Sequence, residues 1–273
     1  MCSVVIHYRP GHDWPLLLAA NRDEMMDRPW LAPGRHWPDQ PHILAGKDQV
    51  AGGSWLGMND WGVVAVVLNR FGTLGRQPGK SSRGLLVLQA LHHDCDCARA
   101  AVGVIESWLT AHDLRPFNLI IADAREAFWI AWRGTKPLAT TPIPPGLHML
   151  TAHDLDDVTD PRIQGHLPRF QTCPAPRPES SDWSCWNEIL GSSTPVPGSG
   201  PESAMCIQLD SGFATVSSAL IALPDPDHPT RIPQWLFAAG KPDQVQYRPV
   251  IRSAPGHPEQ YASPGLPPEW GEG

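Results

Sequence analysis

The chain opens with Met1-Cys2-Ser3-Val4-Val5-Ile6-His7-Tyr8, followed after a short gap by Leu16-Leu17-Leu18-Ala19-Ala20-Asn21-Arg22-Asp23-Glu24. The first segment is apolar and rich in β-branched residues, as strands commonly are. Pro10-Gly11-His12-Asp13 lies between the two segments and has the composition of a turn. The pattern predicts a β-hairpin whose second strand ends in a group of polar and charged side chains.

Further strands and helices are predicted along the chain from apolar runs, helical spacing and turn residues. The predicted strands cover 43–47, 54–58, 62–69, 117–123, 127–132, 147–152, 204–209, 213–223, 235–239 and 245–248, with a hairpin turn at Asp210-Ser211-Gly212. Ser81 or Ser82 is predicted to cap a first helix, and Ala98, Ala101, Val102, Ile105 and Leu109 form the apolar stripe of a second. Two more helices are predicted at 161–170 and 183–190, and the Pro- and Trp-rich stretch 28–41 as a loop.

Hairpins interrupted by helices predict an α+β protein with two stacked, mainly antiparallel sheets and helices outside them. At 273 residues, with 41% hydrophobic and 18% charged residues, the chain has enough apolar material for a sizeable core. We expect a single domain over residues 1–252. Residues 253–273 are rich in proline and glycine and are predicted to be a flexible tail.

Charge and hydropathy exclude several classes of partner. The formal net charge of -7 and a pI near 5.9 argue against nucleic acid as a partner and against anionic membranes. No apolar run reaches the about 18 residues that a membrane span needs, and no secretory signal is recognisable, which favours a cytoplasmic protein. The six cysteines are scattered, so free thiols in a reducing compartment are expected.

Cys2 is the first candidate for chemistry. Removal of Met1 would leave Cys2 with a thiol and a free α-amine on the same residue. An α-amine has a pKa of about 7.7 to 8.0 and a free thiol one of about 8.5, so the amine can accept the thiol proton near neutral pH. The alternative is that Met1 is retained and that Cys2 is a small residue of the first strand.

Several motifs in a fixed order resemble the NRDE family, also called the transport-and-Golgi-organization family. They are Met1-Cys2, Leu18-Ala19-Ala20-Asn21-Arg22-Asp23-Glu24, Arg28-Pro29 and Gly52-Gly53-Ser54-Trp55-Leu56-Gly57. The resemblance implies a four-layer αββα sandwich similar to N-terminal-nucleophile hydrolases, such as bile-salt hydrolases and penicillin acylases. It also implies links to haem trafficking and to lipid or acyl-CoA metabolism.

Transferred to this chain, the resemblance makes Cys2 the nucleophile and Asp23 the carboxylate that holds its amine. Arg22 is expected to bind a substrate carboxylate or to lower the pKa of the thiol. Because side chains alternate along a strand, Asn21 and Asp23 should share one face, and Arg22 and Glu24 the other, unless the strand bulges. The alternative for all four is an ion-paired strand end that fixes a turn.

Two residues outside this motif complete the predicted site, and two others differ from the family pattern. Asn69 is expected to donate to an oxyanion, or else to be a turn residue, and Trp55 to wall a pocket or to pack in the core. Ala152 stands where the family carries an asparagine, and Val216 where it carries an arginine. These departures predict weak or absent hydrolysis.

Neither a metal nor a required cofactor is predicted. His92-His93-Asp94-Cys95-Asp96-Cys97 contains metal-ligating residue types, but no second pair at zinc-site spacing accompanies it, so a solvated connection is expected. Haem is kept as a candidate bound ligand, and His7, His12 and His153 are among its candidate axial ligands. The sequence thus leaves two hypotheses: hydrolysis of an amide or thioester of an acylated small molecule through Cys2, or a non-catalytic carrier of haem or an acyl ligand. The oligomeric state stays open.

Overall fold

The first hairpin of the computed structural model has the predicted form. The structure describes residues 2–75, 77–228 and 230–250, so the predicted tail 253–273 lies outside the described residues. Strands β1 (Ser3–Tyr8) and β2 (Leu16–Met25) pair antiparallel, with Ser3 opposite Asn21 and Tyr8 opposite Leu16. Both strands are almost wholly buried, because each face of their sheet is covered.

Six strands form the sheet that contains this hairpin. Its order is β10 (Gly146–Leu150), β1, β2, β11 (Phe213–Leu223), β12 (Gln234–Ala238) and β13 (Arg248–Pro249), and all neighbours are antiparallel. Strand β2 is therefore central, with β1 on one side and β11 on the other. A central position fixes the backbone of β2 from both sides, and so the direction of its side chains.

Seven strands form the second sheet. Its order is β3 (Trp30–Gly34), β4 (Ile43–Asp48), β5 (Leu56–Asn59), β6 (Val64–Asn69), β7 (Phe117–Ala122), β8 (Ala127–Trp132) and β9 (Ala139–Pro142). The edge strands β3 and β9 were not predicted. Each contains a proline, and β3 also has an irregular register, so neither shows the alternation of a regular strand.

Four helices cover the outer faces of the two sheets. α1 (Gly84–Ala90) and α2 (Ala98–Trp108) pack on the seven-stranded sheet, whereas α3 (Pro161–Thr172) and α4 (Ser184–Leu190) pack on the six-stranded sheet. A third apolar cluster lies between the sheets. The α+β, four-layer αββα sandwich is thus confirmed. Among the described residues, no helix has both the length and the hydropathy to cross a bilayer.

Several predictions of local structure were wrong. The last strand is β13, so only Arg248 of the predicted segment 245–248 lies in it, and the predicted loop 28–41 contains β3. Segment 204–209 is not a strand: only Gln208 forms an isolated bridge, with Ala214, because the register of β11 is interrupted between Thr215 and Ser217 and β12 takes that edge from Ser218 onward. Neither Ser81 nor Ser82 caps α1, whose N-terminal flanking residue is Arg83; the Ser82 hydroxyl instead accepts a hydrogen bond from the Gly84 amide.

The expectation of six free thiols was also wrong. Cys173 and Cys185 form a disulfide, with their Cα atoms 6.0 Å apart. Cys173 ends α3 and Cys185 lies in the first turn of α4, and these two helices pack against each other. Helix packing, which spacing in the sequence does not reveal, brings the two thiols together. Cys2, Cys95, Cys97 and Cys206 are free.

Candidate functional site

Three side chains form a row across the six-stranded sheet, at the end of β2. The β1–β2 register continues to place Cys2 opposite Arg22, and β11 places Ser217 opposite Arg22 on the other side. Directly opposed residues of antiparallel strands lie on one face with Cβ atoms about 4.5 to 5.5 Å apart. The nucleophile candidate, a guanidinium and a hydroxyl therefore face the space between the sheets together.

A small cavity lies over this row. It has a volume of about 290 Å³, part of which is open to solvent, and both sheets line it. The next row of the same sheet is Val4, Ala20 and Ala219, whose short side chains leave the space. The lining residues are Cys2, Val4, Ala20, Asn21, Arg22, Trp55, Leu56, Val66, Val67, Ser217, Ser218 and Ala219.

Trp55 forms one wall of the cavity and stacks on Arg22. The centre of the Arg22 guanidinium lies 4.1 Å from the centroid of the Trp55 ring, which is a close cation–π contact. Gly46 makes room for this indole, since a Cβ at that position would lie 2.4 Å from two of its ring carbons. Trp55 also contacts the core between the sheets, so the two predicted roles of this residue are combined.

Arg22 is buried, with 5% of its side chain exposed. Its Nη2 lies 3.6 Å from Asp48 and 4.0 Å from Glu24, whereas its Nη1 is buried without a hydrogen-bond partner. Burial lowers the pKa of Arg22, and the neighbouring Cys2, Glu24 and Asp48 act to raise it. A guanidinium that keeps one buried nitrogen unpaired is costly, and such a group at a cavity wall is suited to bind an incoming acceptor.

Asp23 points the other way, towards the helices. Its Oδ2 accepts a 2.8 Å hydrogen bond from Arg162 of α3, and its Oδ1 accepts one of 2.7 Å from the Thr215 hydroxyl. The ion pair is fully enclosed, with 0% of the Asp23 side chain and 4% of the Arg162 side chain exposed. The Cys2 sulfur lies 3.7 Å from the Asp23 backbone oxygen, to which it donates. Asp23 thus lies beside Cys2 and is held rigidly there.

Asn21 shares the face of Asp23, as strand alternation predicts. Its Nδ2 donates to the carbonyls of Leu190 and Met205 at 3.0 and 2.9 Å, and its Oδ1 accepts from Ser218 at 2.6 Å. These bonds tie β2 to α4 and to the segment before β11. Asn21 lines the cavity but has its side-chain amide engaged in the fold.

Glu24 and Asn69, the remaining predicted site residues, are not among the described cavity-lining residues. Glu24 is about a quarter exposed and lies 3.6 Å from Arg28 as well as 4.0 Å from Arg22. Asn69 ends β6, two residues beyond the cavity-lining Val67, and pairs with Phe117. The role of Asn69 as an oxyanion donor stays a prediction.

Ala152, which replaces the family's asparagine, lies in a loop held by another amide. Asn118 Nδ2 donates to the carbonyls of Thr151 and His153 on either side, and the Ala152 carbonyl accepts from the Phe71 amide. Ala152 is buried and provides no side-chain donor. Val216 falls at the irregularity between Thr215 and Ser217, where β11 carries one more residue than β2.

The Cys2 thiol is half-buried and adjoins the core between the sheets. Burial raises the pKa of the Cys2 thiol, the Asp23 carboxylate raises it further, and Arg22 acts in the opposite direction. The thiol is therefore protonated at neutral pH. Nucleophilic attack by Cys2 consequently requires a base, as the predicted free α-amine would be.

The candidate metal and haem ligands are not among the described residues that line the cavity. His92, His93 and Asp94 bring ligand atoms within 4.8 Å of one another in the loop after α1, where His93 and Asp94 are exposed, and the solvated connection stays a prediction. A porphyrin is larger than the cavity, and none of His7, His12 and His153 is among its described lining residues.

Sequence reasoning missed three residues of this site, namely Arg162, Thr215 and Ser217. A signal existed for the last two, since hydroxyl-bearing residues begin an otherwise apolar strand at Thr215-Val216-Ser217-Ser218. Arg162 follows the helix cap Asp160 by two residues, and only the packing of α3 against the first sheet brings it to Asp23.

The fold defines a class of protein. The structure is similar to that of a Caenorhabditis elegans N-acylethanolamine-hydrolyzing acid amidase orthologue, with a TM-score of 0.53 and 12% identity over 83% of this chain and 94% of that one. At this identity the likeness concerns the fold alone. The chain has the αββα architecture of N-terminal-nucleophile hydrolases.

The particular family follows from the sequence. The Transport and Golgi organisation 2 family model matches residues 1–182, and the chain belongs to this family. It is 32% identical over 130 residues to the Transport and Golgi organization 2 homologue of Mus musculus and to that of Bos taurus. The alignment covers 45% of this chain and 45% of each relative, so the chain spans less than half the length of the curated relatives that it matches.

Proposed function

We propose that the protein hydrolyses an amide or thioester of a small acylated molecule, with Cys2 as the nucleophile. The observation that carries this proposal is the row of Cys2, Arg22 and Ser217 at the wall of a cavity between the sheets. The cavity adjoins the Cys2 thiol, and the buried polar residues Arg22 and Ser217 line the same cavity. The structural neighbour is named as an acid amidase, which hydrolyses a bond of the same chemical type.

The proposed reaction uses the groups on Cys2 itself. After removal of Met1, the α-amine takes the thiol proton and the sulfur attacks the carbonyl carbon. The tetrahedral adduct collapses, the C–N or C–S bond to the leaving group breaks, and the amine passes the proton to that group. Water then attacks the Cys2 thioester, which releases a carboxylic acid and restores the thiol. Asp23, whose backbone carbonyl accepts from the Cys2 thiol, is the proposed partner of the amine, and Asn69 is the proposed oxyanion donor.

An electrophilic thiol probe, combined with intact-mass and peptide mass spectrometry, tests this proposal. We expect a processed amino terminus and preferential labelling of Cys2 over the free thiols of Cys95, Cys97 and Cys206. The matched variant Cys2→Ala should lose this adduct alone. Labelling at another cysteine, with Cys2 inert and Met1 still attached, would overturn the proposal.

The second candidate is a non-catalytic carrier that uses the same cavity for an acyl ligand or haem. The raised pKa of Cys2 and the apolar Ala152 in place of an amide favour it. Haem would require the cavity to open. A titration with haemin, followed by absorption spectroscopy, should show a saturable Soret shift if the protein carries haem. The absence of this shift would exclude haem as the ligand.

The cytoplasmic location is also kept as a proposal. The Cys173–Cys185 disulfide weakens the support that six free thiols would have given, and the free thiols of Cys2, Cys95, Cys97 and Cys206 are what remains of it. Fractionation of the producing cells, with detection of the untagged protein, tests it. Recovery in the cytosolic fraction is expected, and recovery from a secreted or lumenal fraction would contradict it.

A further inference from the structure

Two polar atoms at the cavity lack partners although the fold buries them. Arg22 Nη1 and Ser217 Oγ both have no hydrogen-bond partner, and the two residues are directly opposed on β2 and β11. Arg22 is 5% exposed and Ser217 1% exposed. Buried polar atoms are nearly always paired in folded proteins, and two adjacent unpaired donors at the wall of one cavity are suited to bind an acceptor of a ligand.

The other charged groups near Arg22 do not pair with its Nη1 atom. Asp48 and Glu24 approach Nη2, and both are shared with Arg28, which lies 2.7 Å from Asp48 and 3.6 Å from Glu24. Asp23 is on the opposite face and is paired with Arg162. Asp48 and Glu24 thus lie on the Nη2 side of Arg22, and none of the three carboxylates pairs with Nη1.

We propose that Arg22 and Ser217 form an anion subsite beside Cys2, which selects acyl compounds that carry a carboxylate close to the reacting carbonyl. A guanidinium and a hydroxyl in adjacent strands offer two donors to one carboxylate, and the stacked Trp55 holds the guanidinium plane. The next row, Val4, Ala20 and Ala219, is apolar and lines a space of only about 290 Å³, which favours a short acyl chain. The selected class is therefore short-chain acyl amides or thioesters with an additional carboxylate.

This inference rests on the proposed function, in which Cys2 is the reactive thiol. Iodoacetate and iodoacetamide test it, because they alkylate the same sulfur and differ in one negative charge. The measured quantity is the ratio of the iodoacetate rate to the iodoacetamide rate at Cys2. Arg22→Gln should lower this ratio about tenfold, the value of one charge-assisted hydrogen bond, and Ser217→Ala should lower it about threefold.

Arg28→Gln is the matched control. It removes one positive charge from the same cluster, but Arg28 is not among the described lining residues of the cavity. A ratio that is unchanged in Arg28→Gln and lowered in Arg22→Gln supports the subsite. An equal ratio in the wild type and Arg22→Gln, with Cys2 reactive in both, overturns the subsite and leaves the proposed function standing.

A second measurement does not depend on the reactivity of Cys2. In a Cys2→Ala background, propionate should raise the melting temperature in a saturable manner, because a ligand that binds only the folded state stabilises it. The shift should disappear in Cys2→Ala/Arg22→Gln, and butyramide, which lacks the charge, should give none. If Cys2 reacts with neither alkylating reagent, the proposed function fails and this titration alone decides on the subsite. Equal shifts in melting temperature with and without Arg22 would overturn the anion subsite.

Discussion

Arg22 and Asp23 are adjacent in the sequence, yet the two faces of β2 put them in opposite situations. Asp23 points to the helical layer, where Arg162 and Thr215 satisfy both of its carboxylate oxygens. Arg22 points to the space between the sheets, where one of its nitrogens has no partner. The comparison separates a charge that holds the fold together from a charge that is available to a ligand. The four-residue motif is therefore both an ion-paired strand end and a cavity wall.

The largest expected effect on stability comes from removing the charge of Asp23, whose carboxylate oxygens are both hydrogen-bonded. Asp23→Asn leaves the Arg162 guanidinium buried without its counter-charge, which should lower the free energy of unfolding by about 3 to 5 kcal/mol. Urea denaturation measures it. Arg22→Gln is the matched change on the other face and should cost about 1 kcal/mol or less, since only its stacking on Trp55 and two long ion pairs are lost. Equal losses in the two variants would contradict the comparison.

Asn21→Ala tests the same comparison with a smaller expected loss in the free energy of unfolding. The variant removes the donor to the carbonyls of Leu190 and Met205 and the 2.6 Å acceptor of the Ser218 hydroxyl, which keeps the Ala20 carbonyl and Tyr247 as partners. We expect a loss of about 2 kcal/mol in the free energy of unfolding. The rate at which Cys2 is alkylated should change little. A large change in that rate at unchanged stability would instead assign Asn21 to ligand binding.

The helical layer should also make the protein sensitive to acid. Burial lowers the pKa of His166 from 6.5 to about 4, and its Nε2 lies 2.9 Å from the Ser203 carbonyl. The unfolded chain binds this proton more readily, so stability is complete above pH 6.5 and decreases as the pH falls towards 4. The expected loss over this range is about 2 to 3 kcal/mol. Urea denaturation at several pH values, repeated with His166→Gln, should show a flatter profile in the variant, and identical slopes would contradict this assignment.

The smallest effect on stability is expected from filling the cavity. Ala219→Val adds two methyl groups to a row that lines it and should change the free energy of unfolding by about 1 kcal/mol or less, because open space receives them. The alkylation rate of Cys2 should nevertheless fall severalfold, while that of Cys97 stays constant. An unchanged rate at Cys2 would show that reagents reach the thiol by another path.

Much of this architecture could be predicted from the sequence, because it depends on local patterns. The hairpin of β1 and β2, the apolar stripe of α2 and the alternation of Asn21 and Asp23 against Arg22 follow from strand and helix periods. The resemblance supplied the αββα arrangement. The edge strands β3 and β9 escaped prediction because proline and irregular pairing hide the period of two.

The rest depends on contacts between residues distant in the chain. Arg162 reaches Asp23 across 139 positions, and Thr215 across 192. The Cys173–Cys185 disulfide depends on the packing of α3 against α4, and Ser217 joins the site only through its register with Arg22. No local pattern encodes such contacts, so the partners that decide which charges are satisfied became visible only in the fold.

The most direct test of the account is to observe the covalent intermediate. The protein is mixed with a short-chain acyl thioester that carries a second carboxylate, quenched in acid at intervals and mapped by peptide mass spectrometry, with Cys2→Ala in parallel. We predict an acyl mass on the Cys2 peptide that appears first and then decays as the carboxylic acid is released. An acyl mass on Cys97 instead of Cys2, with the same rate of thioester loss in the wild type and Cys2→Ala, would contradict it.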